Sequence, residues 1–268
     1  KKGMWSSYVT SHLLPRIYGF ELQMAAYAVA HMKLGLQLEN MGYDFKADER
    51  LQVYLTNTLE EAITLKKPEG FDKWIGDEAG AATGIKLDHP VMVVLGNPPY
   101  SYESANKGKW ITKLIRDYYQ VDGKPLKERN PKWINDDYVK FLRYGQYFIE
   151  KNGSGILAFI NPHGFLDNPT FRGMRWNLLK TYDKIYTLDL HGNSNIKEKC
   201  PDGSPDINVF DIQQGVSITI FVKTGKKKQN DLGKVFHYDL FGKRDFKYDF
   251  LSQNSLKTIP YKELLLKD

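Results

Sequence analysis

The stretch VMVVLGNPPY, residues 91–100, indicates the fold more directly than any other part of the chain. Residues 91–95 are an uninterrupted apolar run, rich in β-branched valine, between Pro90 and Gly96. Such a run is typical of a strand that is buried on both faces of a parallel sheet. A polar tetrad at residues 97–100 follows directly. Because the ligands of open α/β sheets bind beyond the carboxyl ends of the strands, we expect this protein's chemistry at the tetrad.

Predicted strands and helices alternate on both sides of this stretch. The last two predicted strands, 216–222 and 235–238, follow each other across a polar loop with no helix between them, which predicts an antiparallel hairpin. We therefore predict an α/β fold with a mostly parallel sheet and a C-terminal antiparallel hairpin. No repeat or long linker interrupts the chain, so we expect a single domain over residues 1–268. The other predicted strands are 16–20, 51–55, 91–95, 156–160 and 185–190, and the predicted helices are 20–38, 136–151 and 171–182.

The composition is that of an ordinary globular protein with a mild positive charge. The 268 residues are 41% hydrophobic and 26% charged, with a formal net charge of +6. This excess favours a polyanionic partner without requiring one. A single cysteine, Cys200, excludes a disulfide framework and any multi-cysteine metal site. No apolar run approaches the roughly 18 residues of a membrane span and no signal peptide is recognisable, so we predict a cytoplasmic protein with no membrane partner.

The tetrad Asn97, Pro98, Pro99 and Tyr100 offers hydrogen-bond acceptors beside an aromatic face. Its prolines lack N–H donors and fix the backbone, so the Asn97 side-chain oxygen and the Pro98 carbonyl oxygen form a rigid pair of acceptors. Such a pair suits the planar amine of adenine, because it localises the nitrogen lone pair and stabilises the positive charge that develops as the nitrogen attacks a methyl group. Tyr100 can stack on the base. From the residues alone, a proline turn that merely ends a strand is the alternative.

With this tetrad the chain resembles the gamma group of adenine-N6 DNA methyltransferases, whose signature is Asn/Asp-Pro-Pro-Tyr/Phe. The resemblance implies a Rossmann-like fold that binds S-adenosylmethionine, with the four tetrad residues as the catalytic residues. The segments NVF (residues 208–210) and GVSI (residues 215–218) together resemble the family's eighth motif, and Phe210 stands at the position of that motif's aromatic residue. This implies that Phe210 stacks on the flipped target adenine opposite Tyr100. An ordinary core phenylalanine is the alternative for Phe210.

Two upstream segments resemble the family's cofactor-binding motifs. The segment GFE ends at Glu21, which implies that this carboxylate binds the ribose hydroxyls of S-adenosylmethionine. The alternative for Glu21 is a capping carboxylate. The segment LTNTL implies that Asn57 and Thr58 contact the adenine of the cofactor, although the family normally has Asp where this chain has Asn57. The resemblance also places Asn97 beside the cofactor.

The segments GFELQMAAYAVAHMKL, VLGNPPYS and LDLHGNSN resemble the methyltransferase portions of large single-chain restriction-modification enzymes that also carry helicase and nuclease parts. The family's first motif, a strand followed by a glycine-rich loop, is not recognisable before Tyr18. We therefore expect a catalytic domain that lacks its N-terminal strand and loop. Its expected partners are double-stranded DNA and the other domains of the parent polypeptide, namely the upstream cofactor loop, a target recognition domain and helicase and nuclease domains.

A basic and aromatic insertion at about residues 102–132 follows the tetrad and is a candidate contact for the DNA backbone. Such contacts would help to offset the few kcal/mol that flipping an adenine out of the duplex costs. A solvated loop and helix face is the alternative. The basic residues are Lys107, Lys109, Lys113, Arg116, Lys124, Lys127, Arg129 and Lys132, and the aromatic residues are Tyr102, Trp110, Tyr118 and Tyr119.

Two histidines that could be metal ligands do not predict a metal site. His163 and His191 each follow a predicted strand, but no second histidine and carboxylate stand at ligand spacing beside them, so we predict no metal site. Two other functions stay open. The same tetrad occurs in methyltransferases of RNA amines and of protein glutamine, which must also activate a planar amine. A noncatalytic DNA-binding module that keeps the fold is the third hypothesis.

Overall fold

The computed structural model describes residues 2–46, 49–62, 73–101, 103–127, 131–228 and 230–265. They belong to two compact units, Lys1–His89 and Pro90–Asp268, and each unit is described by itself. The expectation of one catalytic domain over residues 1–268 stays a prediction. No helix in the described ranges has both the length and the apolar character needed to cross a membrane.

The first unit contains a small parallel sheet of two strands. Strands β1 and β2 pair with Gly19 opposite Val53 and Glu21 opposite Leu55, which confirms two of the predicted strands in shortened form. Tyr54 on β2 packs with Ala82 and Ile85 in an apolar cluster. The elements of this unit are α1 (Lys2–Tyr8), β1 (Gly19–Glu21), α2 (Met24–Asn40), β2 (Val53–Leu55) and α3 (Lys73–Asp88), with short π and 3-10 turns at Val9–Leu13 and Leu14–Arg16.

The second unit is built on a six-stranded sheet with the strand order β10-β9-β7-β8-β6-β3. The prediction that the run at residues 91–95 is buried on both faces is wrong, because its strand β3 lies at the edge of this sheet, with Val93 52% and Leu95 75% exposed. Strands β3, β6, β7 and β9 point the same way, because β3 pairs parallel with β6, β7 pairs parallel with β9, and β8 is antiparallel to both β6 and β7. The strands are β3 (Val93–Gly96), β4 (Gln120–Val121), β5 (Lys124–Pro125), β6 (Gly155–Pro162), β7 (Lys184–Asp189), β8 (Val216–Lys223), β9 (Lys234–Asp239) and β10 (Lys262–Leu264), and the helices are α4 (Lys109–Leu114), α5 (Asp137–Asn152), α6 (Arg172–Thr181) and α7 (Arg244–Gln253).

The predicted C-terminal hairpin is wrong, because β8 and β9 are not neighbours in the sheet. Strand β7 lies between them and pairs with both. The connection runs from residue 224 to residue 233, which is longer than the two to five residues of a typical hairpin loop. One face of strand β8 is fully buried at Ser217, Thr219 and Phe221, and the other is partly buried. It therefore occupies the interior of the sheet, where both of its edges find partners.

Helix α5 packs against the sheet, and this packing accounts for the regular spacing of its buried apolar residues. Its buried residues recur at helical spacing and include Val139, Leu142 and Ile149, none of which is exposed. Asp136 caps the first turn by accepting a hydrogen bond from the Tyr138 backbone N–H. The helix ends at Gly153, whose φ of 85° is the left-handed conformation that favours glycine. This helix and β6 confirm two predicted elements almost residue for residue.

The in-register pairing of β7 with β9 places polar side chains on one face of the sheet. Thr187 lies opposite His237, and Asp189 lies opposite Asp239. Ser217 on β8 lies opposite Asp189 as well, on the other edge of β7. The polar row ends where the four parallel strands end, so the carboxyl edge of this sheet combines polar residues with the loop that follows β3.

Candidate functional site

The tetrad loop leaves the carboxyl end of β3 and is held by its own tyrosine. The Tyr100 hydroxyl lies 2.8 Å from Asn97 Oδ1 and 3.1 Å from the carbonyl oxygen of Ile160 on β6. Burial raises the pKa of Tyr100 to about 12, so the hydroxyl keeps its proton at neutral pH and acts as a donor. Because Tyr100 anchors it to the neighbouring strand, the Asn97 side chain has a defined orientation.

The acceptors of the tetrad are available for a further partner. Asn97 is exposed and Pro98 is buried, and no described residue donates a hydrogen bond to the Pro98 carbonyl oxygen. An amide oxygen has two lone pairs, so Asn97 Oδ1 can accept a second hydrogen bond beside the one from Tyr100. The loop therefore exposes the Asn97 acceptor near an aromatic ring, next to a Pro98 carbonyl oxygen that no described residue uses. This arrangement fits the planar amine of adenine, the group that the tetrad sequence predicts as its ligand.

Asp136 connects the end of the tetrad to helix α5 by hydrogen bonds that the sequence did not predict. Its Oδ1 accepts from the Ser101 backbone N–H at 3.1 Å and also caps the helix. In return, the Ser101 carbonyl oxygen accepts from the Asp137 backbone N–H at 3.3 Å. The residue directly after the tetrad is thus fixed to the start of the helix. A motif that considers residues 97–100 alone contains no sign of this contact.

Phe210 is positioned by a buried asparagine two residues before it. Asn208 Oδ1 accepts from the Phe210 backbone N–H at 2.8 Å. The Asn208 side-chain amide donates to the carbonyl oxygens of Gly192 and Gln214, at 3.1 and 2.7 Å. Arg244 donates to the Phe210 carbonyl oxygen at 3.0 Å. Asn208 therefore closes the loop between β7 and β8 around Phe210.

The two predicted stacking residues, Tyr100 and Phe210, pack against the same apolar cluster. Both side chains are partly buried. The structure thus brings them to one part of the second unit. Their stacking on a base stays a prediction. The members of the cluster are Leu188, Leu190, Val209, Val216 and Leu240.

In the first unit, Glu21 stands at the end of β1 and is partly exposed. Its Oε1 accepts from the Gln23 backbone N–H at 2.8 Å, just before helix α2 begins. No described residue donates to its second oxygen. The carboxylate thus makes the local backbone contact that the alternative interpretation expects and still has an oxygen that could accept a ribose hydroxyl. Its cofactor contact stays a prediction.

The predicted cofactor loop after β2 is a hydrogen-bonded turn supported by a buried lysine. Asn57 Oδ1 accepts from the Leu59 backbone N–H at 3.0 Å, and Thr58 between them is partly buried. Lys86 Nζ donates to the carbonyl oxygens of Asn57 and Glu60, at 2.8 and 3.1 Å. Burial lowers the pKa of Lys86 to about 8. A side chain that folds back on its own turn explains why an amide is tolerated at position 57, and the cofactor contacts of Asn57 and Thr58 stay predictions.

The basic insertion is partly core. Tyr118 is fully buried and donates to Gln146 Oε1 at 2.6 Å, so its predicted role as an aromatic DNA contact is wrong. Trp110 packs edge-on against Tyr144 and Tyr147 of α5. Tyr102 and Arg129 lie outside the described residues. The remaining basic residues, Lys107, Lys109, Lys113, Arg116, Lys124, Lys127 and Lys132, are exposed, and their contact with DNA stays a prediction.

The carboxyl edge also contains a cluster of histidines and carboxylates that spacing in the sequence did not predict. His163 Nδ1 lies 3.0 Å from Asp189 Oδ1, and His191 Nδ1 lies 2.8 Å from Glu198 Oε1. Burial alone would lower the pKa of His163, but the Asp189 carboxylate outweighs burial and raises it. Gly215 is required here, because a side chain on it would meet the His163 ring at 2.4 Å. The strand order of the sheet creates this cluster.

Comparison with known proteins connects these features to a family. Residues 16–196 match the family model described as Eco57I restriction-modification methylase. This range contains the tetrad, Glu21, Asn57, Thr58, His163 and His191. No curated protein matches the sequence.

Several solved structures resemble the whole chain. The ATP-dependent Type ISP restriction-modification enzyme LlaBIII bound to DNA matches with a TM-score of 0.82 and 21% identity, over 98% of this chain and 18% of its own. The DrdV–DNA complex matches with a TM-score of 0.76 and 22% identity, over 98% and 26%. A nuclease-deletion mutant of the Type ISP enzyme LlaGI with a DNA substrate mimic matches with a TM-score of 0.77 and 20% identity, over 97% and 24%.

At these identities the likeness shows the fold. The chain spans between 18% and 26% of the length of these three proteins. The likeness confirms the Rossmann-like fold that the resemblance to the gamma group implied. The family match confirms the predicted methyltransferase and its methyl donor, S-adenosylmethionine. The chain belongs to the Eco57I restriction-modification methylase family.

Proposed function

We propose that this chain methylates the N6 amine of adenine in double-stranded DNA, as the methyltransferase part of a larger restriction-modification enzyme. The observation that carries the proposal is the tetrad loop, in which the Tyr100 hydroxyl holds Asn97 Oδ1 at 2.8 Å and leaves the exposed amide able to accept a second hydrogen bond. S-adenosylmethionine, when bound, supplies the methyl group. All other steps depend on the residues of the chain.

The tetrad would hold the target amine through its two hydrogens. Asn97 Oδ1 accepts one hydrogen and the Pro98 carbonyl oxygen accepts the other, which turns the nitrogen lone pair away from the purine ring. Both acceptors stabilise the positive charge that forms on the nitrogen as the N–C bond forms. The methylated nitrogen then loses a proton to water, so no strong base is required. Tyr100 orients Asn97 and presents its ring to the base.

The flipped adenine requires a second surface, and Phe210 is the residue we propose for it. Stacking on an aromatic side chain contributes about 1–3 kcal/mol for each base. Two such rings would offset the few kcal/mol that flipping costs. The support for Phe210 is its common packing cluster with Tyr100 and its fixed backbone, which Asn208 holds at 2.8 Å.

Sequence-independent affinity for DNA is proposed to come from the exposed lysines that follow the tetrad, among them Lys107, Lys109 and Lys113. Cofactor contacts by Glu21, Asn57, Thr58 and Asn97 belong to the same proposal. So do a cytoplasmic location and partner domains for cofactor binding, target recognition, translocation and cleavage. The DNA-bound Type ISP enzymes have the fold of this chain, which supports DNA over RNA or protein glutamine as the substrate.

The experiment is a methyl-transfer assay with three substrates. The full-length protein is incubated with tritiated S-adenosylmethionine and long unmethylated duplex DNA, a mixed RNA pool or glutamine peptides, and labelled DNA is digested to nucleosides. We expect label in DNA alone, as N6-methyl-2′-deoxyadenosine. Label on the N4 amine of cytosine would contradict the choice of base. Label on RNA or peptide, with none on DNA, would contradict the choice of substrate.

A further inference from the structure

The cluster of histidines and carboxylates at the carboxyl edge has the atom spacing of a metal site. One donor atom from each of His163, Asp189 and His191 lies within 4.8 Å of the others. His163 Nδ1 is 3.1 Å from Asp189 Oδ2, and His191 Nδ1 is 3.8 Å from the same oxygen. Ligands about 2.0–2.2 Å from a tetrahedral Zn²⁺ are separated by roughly 3.4 Å, which lies between these two distances. Glu198 Oε1 lies 2.8 Å from His191 Nδ1, beside this set of three donor atoms.

The charges of the cluster also call for a cation. Asp189, Glu198 and Asp239 are three carboxylates in one neighbourhood, and the side chains of Asp189 and Glu198 are only 10% and 15% exposed. Within the described ranges, no lysine or arginine forms an ion pair with any of the three. Burying the Asp189 and Glu198 carboxylates together is costly, and a divalent ion would neutralise most of their charge.

The surroundings orient His191 as metal ligands are usually oriented. His191 Nε2 faces Asp239 Oδ1 at 2.9 Å, and Asp239 also contacts His237 Nε2 at 3.0 Å. A ligating histidine typically gives its other ring N–H to a carboxylate in this way. The Glu198 carboxylate is held by the Asn193 backbone N–H at 2.9 Å.

Buried polar atoms without a partner provide an independent sign of a polar occupant. Asn161 Oδ1 and Ser217 Oγ are fully buried and make no hydrogen bond, and Asn193 Oδ1 makes none either. Asn161 and Ser217 are paired across β6 and β8, and Ser217 is paired with Asp189, so all three occupy one row on one face of the sheet. Unsatisfied groups in such a row are uncommon in proteins and require an explanation. A cavity of about 1030 Å³ reaches the cluster and provides a way in.

We propose that His163, Asp189 and His191 bind a first-row transition-metal dication of the Zn²⁺ type. Imidazole and carboxylate donors together suit such an ion better than Ca²⁺ or Mg²⁺, which prefer oxygen donors alone. The ion, whose tetrahedral coordination a water molecule would complete, has a structural role. It joins the ends of β6 and β7 to the loop that leads to Asn208 and Phe210. The proposal rests on these contacts and is independent of the methylated substrate.

The test measures the metal directly in the full-length protein, purified without a metal-affinity tag. Elemental analysis and equilibrium dialysis against Zn²⁺ are expected to give about one tightly bound ion per chain, which raises the unfolding temperature relative to chelator-treated protein. His163→Gln and Asp189→Asn are expected to lose this ion. Asp239→Asn, which alters only the support of His191, is expected to weaken binding by about 10- to 100-fold. His12→Gln, at an exposed histidine, is the control and should bind as the wild type does.

Co²⁺ substitution in the wild type keeps the proposal testable even where a variant fails to fold. The intense visible absorption of tetrahedral Co²⁺ is expected, and Zn²⁺ should displace it. The proposal is overturned by wild-type protein that retains no stoichiometric metal and whose unfolding temperature is the same with Zn²⁺ and with chelator. Equal Zn²⁺ affinity in folded His163→Gln and wild-type protein would overturn it as well.

Discussion

The tetrad loop and the 190–215 segment both follow strands of the same sheet, yet they are built in different ways. In the tetrad the decisive contact joins Tyr100 to Asn97, three positions apart. In the 190–215 segment a decisive buried support comes from a remote residue, through the bond from Lys247 to the Leu190 carbonyl oxygen. A functional site built from consecutive residues can be recognised in the sequence as a motif. A site built from residues far apart in the sequence can be recognised only in the folded structure.

The largest effect should come from the most remote support of the 190–215 segment. Lys247 and Asp206 form an ion pair at 2.8 Å with neither side chain exposed. Lys247→Met leaves the Asp206 carboxylate buried without its partner, which should lower the free energy of unfolding by about 3–5 kcal/mol. Urea denaturation measures this loss. Lys180→Met, which removes one partner of the exposed Lys180–Asp122 pair, is the control and should change little. Similar small effects in both variants would remove the contrast between the two regions.

Asn208→Ala tests whether the 190–215 segment serves the reaction and not only stability. The substitution removes hydrogen bonds to Gly192, Gln214 and Phe210 and leaves buried groups unpaired, at a cost of about 1–3 kcal/mol. We also expect methyl transfer at saturating S-adenosylmethionine to fall by about tenfold through weaker DNA binding, since Phe210 loses its fixed position. Asn254→Ala removes a partly buried amide that bonds within α7 and serves as the control. Unchanged KM for DNA in folded Asn208→Ala would contradict the role of Phe210.

Tyr100→Phe separates the hydroxyl of the tetrad tyrosine from its ring. The variant keeps the stacking surface and loses the hydrogen bonds to Asn97 and Ile160, worth about 1 kcal/mol. We expect kcat to fall by about fivefold, the fold-change that this energy represents, while KM for DNA stays within a factor of two. Tyr100→Ala should raise KM as well. If both variants change kcat and KM alike, the hydroxyl does not orient Asn97.

The smallest effect concerns Lys86, a remote support for the turn at Asn57. Its folded-state pKa of about 8 lies below the ordinary 10.5, because burial disfavours the charged amine. Between these values the unfolded chain binds more protons, so the free energy of unfolding rises with pH. From pH 8 to pH 9 the free energy of unfolding of the wild type should rise by about 0.5–1 kcal/mol more than that of Lys86→Met. Parallel urea curves for the two proteins measure it, and a difference that is constant across this range would contradict the lowered pKa.

The fold was predictable where the pattern is local. The strand before Asn97 and the helix that ends at Gly153 appear where periodicity and capping place them. The pairing of β8 was not predictable, because a polar loop between two strands does not show whether a third strand lies between them. His163, Asp189 and His191 were missed for the same reason: 26 positions separate His163 from Asp189, and only the strand order makes them neighbours. Tyr118 shows the opposite error, since a basic sequence around it hides a core residue.

The most direct test of the proposed reaction is the methyl-transfer rate of Asn97→Ala under single-turnover conditions, with Asn97→Asp beside it. Alanine removes the acceptor that holds the amine, so the rate constant should fall by about 100- to 1,000-fold while the affinity for S-adenosylmethionine and DNA changes far less. Aspartate keeps an acceptor oxygen and should retain measurable transfer. A rate within threefold of the wild type in folded Asn97→Ala would contradict the account, because the tetrad would then be only a turn.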